Sequence, residues 1–242
     1  MRLALLALCL VAAQVGAAEI AVMSSPAIRE AYLELVPQFE KASRHKVVTS
    51  WVGTADIMKR IRAGETVDLV IVAANSLDEL IKAGKVVSRV DLVKSGVGVA
   101  VRKGAPKPDI SSGEALKRAL LSAKSIAYSS GPSGLYLASL FQRMGIADEL
   151  KPKIIQTPPG VIVGEVIARG DADIGFQQVS ELLHVAGIDY VGPLPPDIQL
   201  ITVFSGGVHA GAKQPAVAAE LIQFLKSPAA APVIRKKGME PG

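Results

Sequence analysis

Short runs of aliphatic and β-branched residues alternate along the chain with longer stretches whose apolar residues recur at helical spacing. Residues 20–23 form the first run, residues 27–43 the first amphipathic stretch, and residues 67–73 a continuous apolar run. Strands buried on both faces of a parallel sheet show such continuous runs, whereas covering helices have one apolar face. The repeated strand–helix order therefore predicts an α/β protein with doubly wound, mostly parallel sheets flanked by helices.

Two glycine-rich points divide this pattern. Residues 96–98 are Gly-Val-Gly and residues 205–207 are Ser-Gly-Gly. Glycines at such points can form hinges between lobes, or they can simply allow close packing of the backbone. We predict that residues 19–97 and 205–242 form lobe 1, that residues 98–204 form lobe 2, and that a ligand binds in the cleft between them.

Residues 1–18 are typical of a secretory signal peptide. Arg2 supplies a positive charge, residues 3–15 are apolar, and residues 16–18 are the small residues that precede a cleavage site. The alternative, an uncleaved membrane anchor, is disfavoured because the apolar run is too short to span a bilayer. We therefore expect a periplasmic protein with no stable membrane insertion after cleavage.

Composition narrows the chemistry further. Cys9 is the only cysteine and lies within the predicted signal peptide, which leaves no disulfide or thiolate nucleophile in the mature chain. The formal charge is +5, with cations spread along the chain and one cluster, residues 235–237, that has no aromatic platform beside it. We therefore expect no nucleic-acid partner, while a mildly basic protein favours anionic ligands.

Small hydroxyl and glycine residues stand directly after three predicted strands and before helices. They are Ser24 and Ser25, Gly53 and Thr54, and Ser129 with the segment 130–134. Ligands bind at the carboxyl ends of strands in open parallel sheets, where helix N-termini offer N–H donors and partial positive charge. Ordinary N-capping explains any one of these places equally well. All three together predict a donor-rich cleft for a small anion.

The usual enzyme motifs are missing from the sequence. There is no Walker A loop, no GxGxxG after the first strand, no HExxH and no GxSxG elbow. His45, His184 and His209 are too scattered in sequence to suggest a metal motif. We therefore expect no metal and no other cofactor.

Nearly the whole chain after residue 18 resembles the periplasmic molybdate-binding protein family, of the type II solute-binding class. The segments that carry the likeness are residues 24–25, 39–42, 53–54, 61–64, 67–70, 132–136 and 224–230. The resemblance implies a two-lobed type II periplasmic binding protein fold that closes on a small anion in the interlobe cleft. It also implies delivery to an ABC-type transporter permease, and we expect a monomer.

The resemblance also assigns ligand contacts, made by hydroxyls and backbone N–H groups rather than by charged side chains. A tyrosine is common at the fifth contact of the family, where this chain has the stretch 176–178, with Gln178 aligned most naturally. A glutamine amide both donates and accepts, so it suits a carboxylate at least as well as molybdate. The predicted ligand-binding residues are Ser24, Ser25, Gly53, Thr54, Ser129, Ser133, Gly134, Gly160, Val161, Gln177 and Gln178.

Other segments are similar to the bacterial aconitate isomerases, namely residues 101–111, 127–129, 133–137 and 175–182. This resemblance implies a second hypothesis, a periplasmic isomerase that interconverts cis- and trans-aconitate without a cofactor. Such a reaction needs a positioned base, for which Asp56, Tyr128 and His209 are the candidates. Arg29 or Lys59 could provide the cation that a tricarboxylate requires. A third hypothesis is a sensor module for a membrane receptor.

Overall fold

The structure, a computed structural model, describes residues 16–242, so most of the predicted signal peptide lies outside the described residues. The strands are β1 Glu19–Ser24, β2 Lys46–Trp51, β3 Leu69–Ala73, β4 Val90–Arg102, β5 Ile126–Ser129, β6 Ile154–Thr157, β7 Ile174–Gln178, β8 Ile188–Pro193, β9 Ile201–Val208 and β10 Glu240–Pro241. The α-helices are α1 Arg29–Ser43, α2 Thr54–Arg62, α3 Ala74–Lys82, α4 Gly113–Ser122, α5 Pro132–Arg143, α6 Ala147–Leu150, α7 Val163–Arg169, α8 Val179–Leu182, α9 Pro215–Lys226 and α10 Ala231–Lys236. A 3-10 turn, Pro26–Ile28, stands between β1 and α1. Across residues 16–242, no helix has both the length and the apolar character needed to cross a bilayer.

One long strand, β4, belongs to two sheets. Its first half, up to Gly96, pairs with β9, and its second half, from Val97 onward, pairs with β7 and β8. The strand order is β2-β1-β3-β9-β4-β7-β5-β6. Strands β2, β1 and β3 are parallel, as are β7, β5 and β6, whereas β4 and β9 run antiparallel to their neighbours. We call the β2-β1-β3-β9 side sheet I and the β7-β5-β6 side sheet II.

The change of sheet along β4 falls at the first glycine-rich point. The chain leaves sheet II after β8 and joins sheet I at Ile201, which pairs with Gly96. The point at which the chain re-enters sheet I, Ile201, lies a few residues before the second glycine-rich point. Gly206 and Gly207 of that second point already pair with β3 inside sheet I. A Cβ on Gly207 would lie 2.5 Å from the carbonyl oxygen of Ser88, so this glycine allows close packing of the backbone. The lobe boundaries at residues 97 and 205 stay a prediction.

Each sheet is covered by helices on both faces. In β3, Leu69 and Ile71 belong to the core formed with α1, α9 and α10, while Val70 and Val72 belong to the core formed with α2 and α3. On sheet II, helices α4 and α5 cover one face, and α7 and α8 cover the other. All five residues of β3 are buried, which accounts for the continuous apolar run. The predicted α/β class is confirmed.

The sequence pattern missed β6, β8 and the first half of β4. Strand β8 is only half-buried along most of its length, so its residues form no apolar run. In the first half of β4, Asp91, Lys94 and Ser95 interrupt the apolar residues. These strands are specified by pairing with distant neighbours, and local periodicity does not report such pairing.

A buried carboxylate ties the last helices to sheet I. Asp68, directly before β3, is 4% exposed. Its Oδ1 accepts the backbone N–H groups of Lys213 and Gln214 at 2.7 and 2.8 Å, and its Oδ2 accepts that of Ala21 at 2.8 Å. The carboxylate thus links β1 and the start of α9 to the segment that leads into β3. These contacts lie at the edge of sheet I that is away from the carboxyl end of β3.

We expect Asp68→Ala to lower the free energy of unfolding by about 2–4 kcal/mol, because three backbone N–H groups lose a charged acceptor. Urea unfolding followed by circular dichroism measures the change. The control is Asp171→Ala, at an exposed carboxylate, with an expected change of about 0.5 kcal/mol or less. Equal unfolding midpoints for the two variants would contradict this account of Asp68.

Candidate functional site: a cleft between the two sheets

Five strands direct their carboxyl ends at one narrow cleft of about 50 Å³. Two of them, β1 and β2, belong to sheet I, and three, β5, β6 and β7, belong to sheet II. Of the predicted ligand-binding residues, the structure brings together at the cleft Ser25, Gly53, Thr54, Ser129, Ser133, Gly160, Val161, Gln177 and Gln178. This arrangement suits a small ligand held by both sheets at once.

Ser24 and Gly134 do not line the cleft, but they shape the loops that do. Ser24 is fully buried, and its hydroxyl donates to the carbonyl of Ser25 at 3.1 Å. Gly134 lies so close to the end of β5 that a Cβ there would stand 1.6 Å from the carbonyl oxygen of Ser129. Only glycine therefore lets α5 approach the strand this closely.

On the side of the cleft that belongs to sheet I, N-capping explains only some of the polar residues. Ser25 caps the 3-10 turn, since its Oγ accepts the N–H of Ala27 at 3.4 Å. Gly53 is the N-cap of α2 and has no side chain to offer, while Thr54 is the first residue of that helix. The Oγ1 of Thr54 is buried and has no hydrogen-bond partner within residues 16–242. An unpaired buried hydroxyl costs about 1–3 kcal/mol, so Thr54 is available to a ligand.

Hydroxyl groups also converge on the side of the cleft that belongs to sheet II. Ser129, at the end of β5, has its Oγ 3.2 Å from that of Ser133 and accepts the N–H of Gly131 at 3.3 Å. Helix α5 begins after Gly131 without a side-chain cap. Its first N–H groups therefore remain free of side-chain acceptors at the cleft.

The amide of Gln178 is engaged with the strands that join the two sheets. Its Oε1 accepts the hydroxyl of Thr202 at 3.0 Å, and its Nε2 donates to the carbonyl oxygens of Ser95 and Gly96 at 3.1 and 3.2 Å. The sequence assigned this residue to ligand recognition. In the structure it lines the cleft, but its hydrogen bonds fasten β7 to β4 and β9 at the point where β4 changes sheet.

Gln177 connects the cleft to a residue that the sequence analysis did not single out, Glu181. The Oε1 of Gln177 accepts the N–H of Val163 at 2.9 Å, and its Nε2 donates to Glu181 Oε1 at 2.9 Å. Glu181 is the one ionisable side chain among the described residues that line the cleft. Burial raises the pKa of Glu181 to about 7, and the hydrogen bonds from Gln177 and the Gln178 backbone oppose this only in part.

Little in the sequence pointed to Glu181, because an acidic residue in the first turn of a helix usually interacts with the helix dipole. Its proximity to Gln178, three residues earlier, was the available signal. Ser130 and Gly131, from the predicted segment 130–134, line the cleft as well, and Pro159, Ile162 and Phe204 line it without having been predicted.

A second, wider space of about 410 Å³, which we call the charged mouth, adjoins the cleft and shares Pro26, Gly160, Ile162 and Glu181 with its lining. Arg29, Glu30, Trp51, Glu165, Glu181 and His184 are among the residues that line it. The guanidinium of Arg29 lies 6.0 Å from the centroid of the Trp51 ring, within the range of a cation–π contact. Two side chains that can carry positive charge, Arg29 and His184, thus stand beside a cleft whose own donors are neutral.

The three catalytic candidates from the sequence lie elsewhere. Asp56 is on α2 but does not line the cleft, and Tyr128 is 8% exposed in the core of sheet II, where burial raises its pKa. The backbone N–H of His209 donates to the carbonyl of Asp68 at 3.0 Å, at the opposite edge of sheet I. Lys59 does not line the charged mouth. No cluster of three or more metal-ligating side chains occurs within residues 16–242.

Comparison with known proteins agrees with this architecture. A family model described as bacterial extracellular solute-binding protein matches residues 20–240. The aconitate isomerase of a Pseudomonas species is 40% identical over 230 residues, which cover 91% of this chain and 87% of that protein. The molybdate-binding protein ModA of Escherichia coli (strain K12) is 24% identical over 227 residues, 91% of this chain and 88% of that protein.

Among solved structures, the periplasmic molybdate-binding protein of Azotobacter vinelandii matches with a TM-score of 0.77 at 20% identity. The match covers 92% of this chain and 99% of that one. The fold is therefore that of the type II periplasmic binding proteins. The chain belongs to the family of bacterial extracellular solute-binding proteins, and both resemblances stated from its sequence are confirmed.

The raised pKa of Glu181 predicts how stability depends on pH. A carboxyl whose pKa rises from 4.5 to about 7 on folding favours the folded state below pH 4.5, and this contribution is lost as the pH rises through 7. We expect the stability of Glu181→Gln relative to the unchanged protein to increase between pH 5 and 8, by at most about 3 kcal/mol. Denaturant unfolding of both proteins across this range measures it, and a constant difference would contradict the raised pKa.

Proposed function

We propose that this protein binds an unsaturated tricarboxylate of the aconitate type in the cleft and isomerises it without a cofactor. The observation that carries the proposal is that the charged mouth adjoins the donor-lined cleft. One carboxylate of the ligand would occupy the cleft among the hydroxyls of Ser25, Thr54 and Ser129. A second carboxylate would extend toward Arg29.

The position of Arg29, in the mouth rather than in the cleft, fits a ligand whose anionic groups are separated, although Glu30 and Glu165 line the same mouth. A tetrahedral oxyanion needs only a compact set of donors, and the neutral hydroxyl and N–H groups of the cleft supply one. Arg29 and His184 would be of no use to such a ligand, because they line the mouth rather than the cleft. A branched tricarboxylate is long enough to use both regions.

The relationship to a known isomerase supports the reaction. The Pseudomonas aconitate isomerase is 40% identical to this chain, whereas the Escherichia coli molybdate-binding protein is 24% identical. Segment 175–182 contains Gln177, Gln178 and Glu181, which line the cleft. This segment is one of those that resemble the aconitate isomerases.

A second candidate function is delivery of a small anion to an ABC-type transporter, and the match to the solute-binding family favours it. The protein would then act in the periplasm, as a monomer that presents its closed form to a permease. Both functions use the same cleft. In the first function the ligand is chemically converted before it is released, whereas in the second it is released unchanged.

Incubation of the purified chain with trans-aconitate tests the two functions, with proton NMR as the readout. We expect the vinyl and methylene signals of trans-aconitate to be replaced by those of cis-aconitate until equilibrium is reached, with either isomer as the starting material. Melting curves with molybdate, tungstate, sulfate and tricarballylate run in parallel, because ligand at about a hundred times its Kd adds about 2.7 kcal/mol of stability. Stabilisation by molybdate alone, without turnover of aconitate, would contradict the isomerase proposal.

Arg29→Ala tests whether the ligand reaches the mouth. We expect it to weaken binding of tricarballylate by about tenfold or more, because a carboxylate loses a charged partner worth about 1.5–3 kcal/mol. Lys59→Ala is the matched control, since it removes one exposed positive charge that does not line the mouth. Isothermal titration calorimetry of the three proteins gives the Kd values, and equal losses in both variants would show only a general effect of charge.

A further inference from the structure

We propose that Glu181 is the residue that moves the proton in this cleft, taking it from one carbon of the substrate and returning it to another. This inference rests on the proposed function and assigns its central step to a residue outside the candidates Asp56, Tyr128 and His209. Glu181 borders both the donor-lined cleft and the charged mouth. A ligand that occupies both regions therefore lies beside this residue.

The carboxyl group of Glu181 is bonded to sheet II, and the helix that carries it is anchored to sheet I. Gln177, at the end of β7 in sheet II, donates to Glu181 Oε1 at 2.9 Å. The neighbouring residue Ser180, also on α8, donates from its hydroxyl to the carbonyl of Ala27, in the turn after β1 of sheet I, at 2.7 Å. These two contacts fix the carboxyl group and its helix at a defined position beside the cleft, as proton transfer requires.

A neutral cleft needs one group that can both accept and release a proton. The other side chains that line the cleft are hydroxyl, amide and apolar groups, which do not exchange protons readily near neutral pH. A carboxylate next to the bound anion is electrostatically unfavourable, so its presence calls for a chemical role. A single carboxyl group that stands among neutral donors can perform proton transfer.

The step balances without any further reactant. The Glu181 carboxylate takes a proton from the methylene carbon beside the double bond, and the electrons of that C–H bond form a new double bond to the central carbon. The electrons of the original double bond move onto the outer carbon and are delocalised into its carboxylate. The Glu181 carboxylic acid then protonates the outer carbon, so the double bond has moved by one position and the residue is ionised again.

The ionisable groups that surround Glu181 come from three other places in the chain. Arg29 and Glu30 face the mouth from α1, Glu165 faces it from α7, and His184 lies just beyond α8. Around Glu181 stand one residue of fixed positive charge and two acids, and burial raises the pKa of its carboxyl group to about 7. Its ionisation can therefore control turnover in the neutral pH range.

The variant Glu181→Gln tests the assignment, because it keeps the shape of the side chain and removes its ability to accept a proton. We expect aconitate turnover to fall by about 100-fold or more. We expect tricarballylate to bind as tightly as before or more tightly, since a negative charge beside it has been removed. We expect the unchanged protein to incorporate solvent deuterium into aconitate whenever the Glu181 proton exchanges with water before it is returned, and this label should be absent with Glu181→Gln.

Glu181→Asp and Glu149→Gln complete the experiment. The aspartate retains a carboxyl group, so measurable turnover should remain, with kcat/KM still rising as the pH increases through the neutral range. Glu149 is exposed on α6, far from the cleft in the fold, and its change to glutamine should leave turnover unaltered. Normal circular dichroism and tricarballylate binding in each variant exclude loss of the fold as the cause.

Two results would overturn the inference, and they are distinguishable. If the unchanged protein leaves both aconitate isomers intact, the proposed function fails and the assignment fails with it. If the unchanged protein is active and Glu181→Gln retains turnover within about threefold, the isomerase proposal stands and the proton is moved by another residue.

Discussion

The structure depends on one constraint, which is that a single strand must serve two sheets. Strand β4 pairs with β9 up to Gly96 and with β7 and β8 from Val97 onward. Because β4 and β9 run antiparallel to their neighbours, the parallel strands on either side can direct their carboxyl ends at the same space. The cleft therefore follows from the topology, and the loops only have to supply the donors. Gln178 reinforces this point by bonding to Thr202 and to the carbonyls of β4 where the sheet changes.

The electrostatic properties of the cleft follow from the hydroxyl and N–H donors that line it and from Glu181. The hydroxyl and N–H donors at the strand ends can hold an anion without any positive side chain, and helix N-termini of α2 and α5 add partial positive charge. Into this neutral environment α8 places Glu181, whose pKa rises to about 7 because burial disfavours its charged form. The positive charge of Arg29 stands outside the cleft, in the mouth. One residue thus gives a cleft lined by neutral donors a group whose charge changes near neutral pH.

The two glutamines at the end of β7 connect several parts of the site. The resemblance to the molybdate-binding family aligns Gln178, which follows Gln177, with a position where a tyrosine is common. A tyrosine offers one hydroxyl, whereas two amides offer four hydrogen-bonding atoms. Those atoms bond to the joining strands, to Val163 and to Glu181, so much of the change concerns the position of Glu181 and the connection between sheets.

The sequence by itself determined the α/β class, most of the strands that are apolar throughout, and the places where small hydroxyl residues follow strands. It could do so because buried parallel strands and helix starts depend on residues close together in sequence. Only the tertiary structure showed that the Oγ1 of Thr54 has no hydrogen-bond partner among the described residues, that Gln178 bonds to β4 and β9, and that Glu181 lines the cleft. Those facts depend on contacts between residues far apart in the chain and on desolvation. Neither leaves a local pattern, and for the same reason the sequence favoured Asp56, Tyr128 and His209, which the fold places outside the cleft.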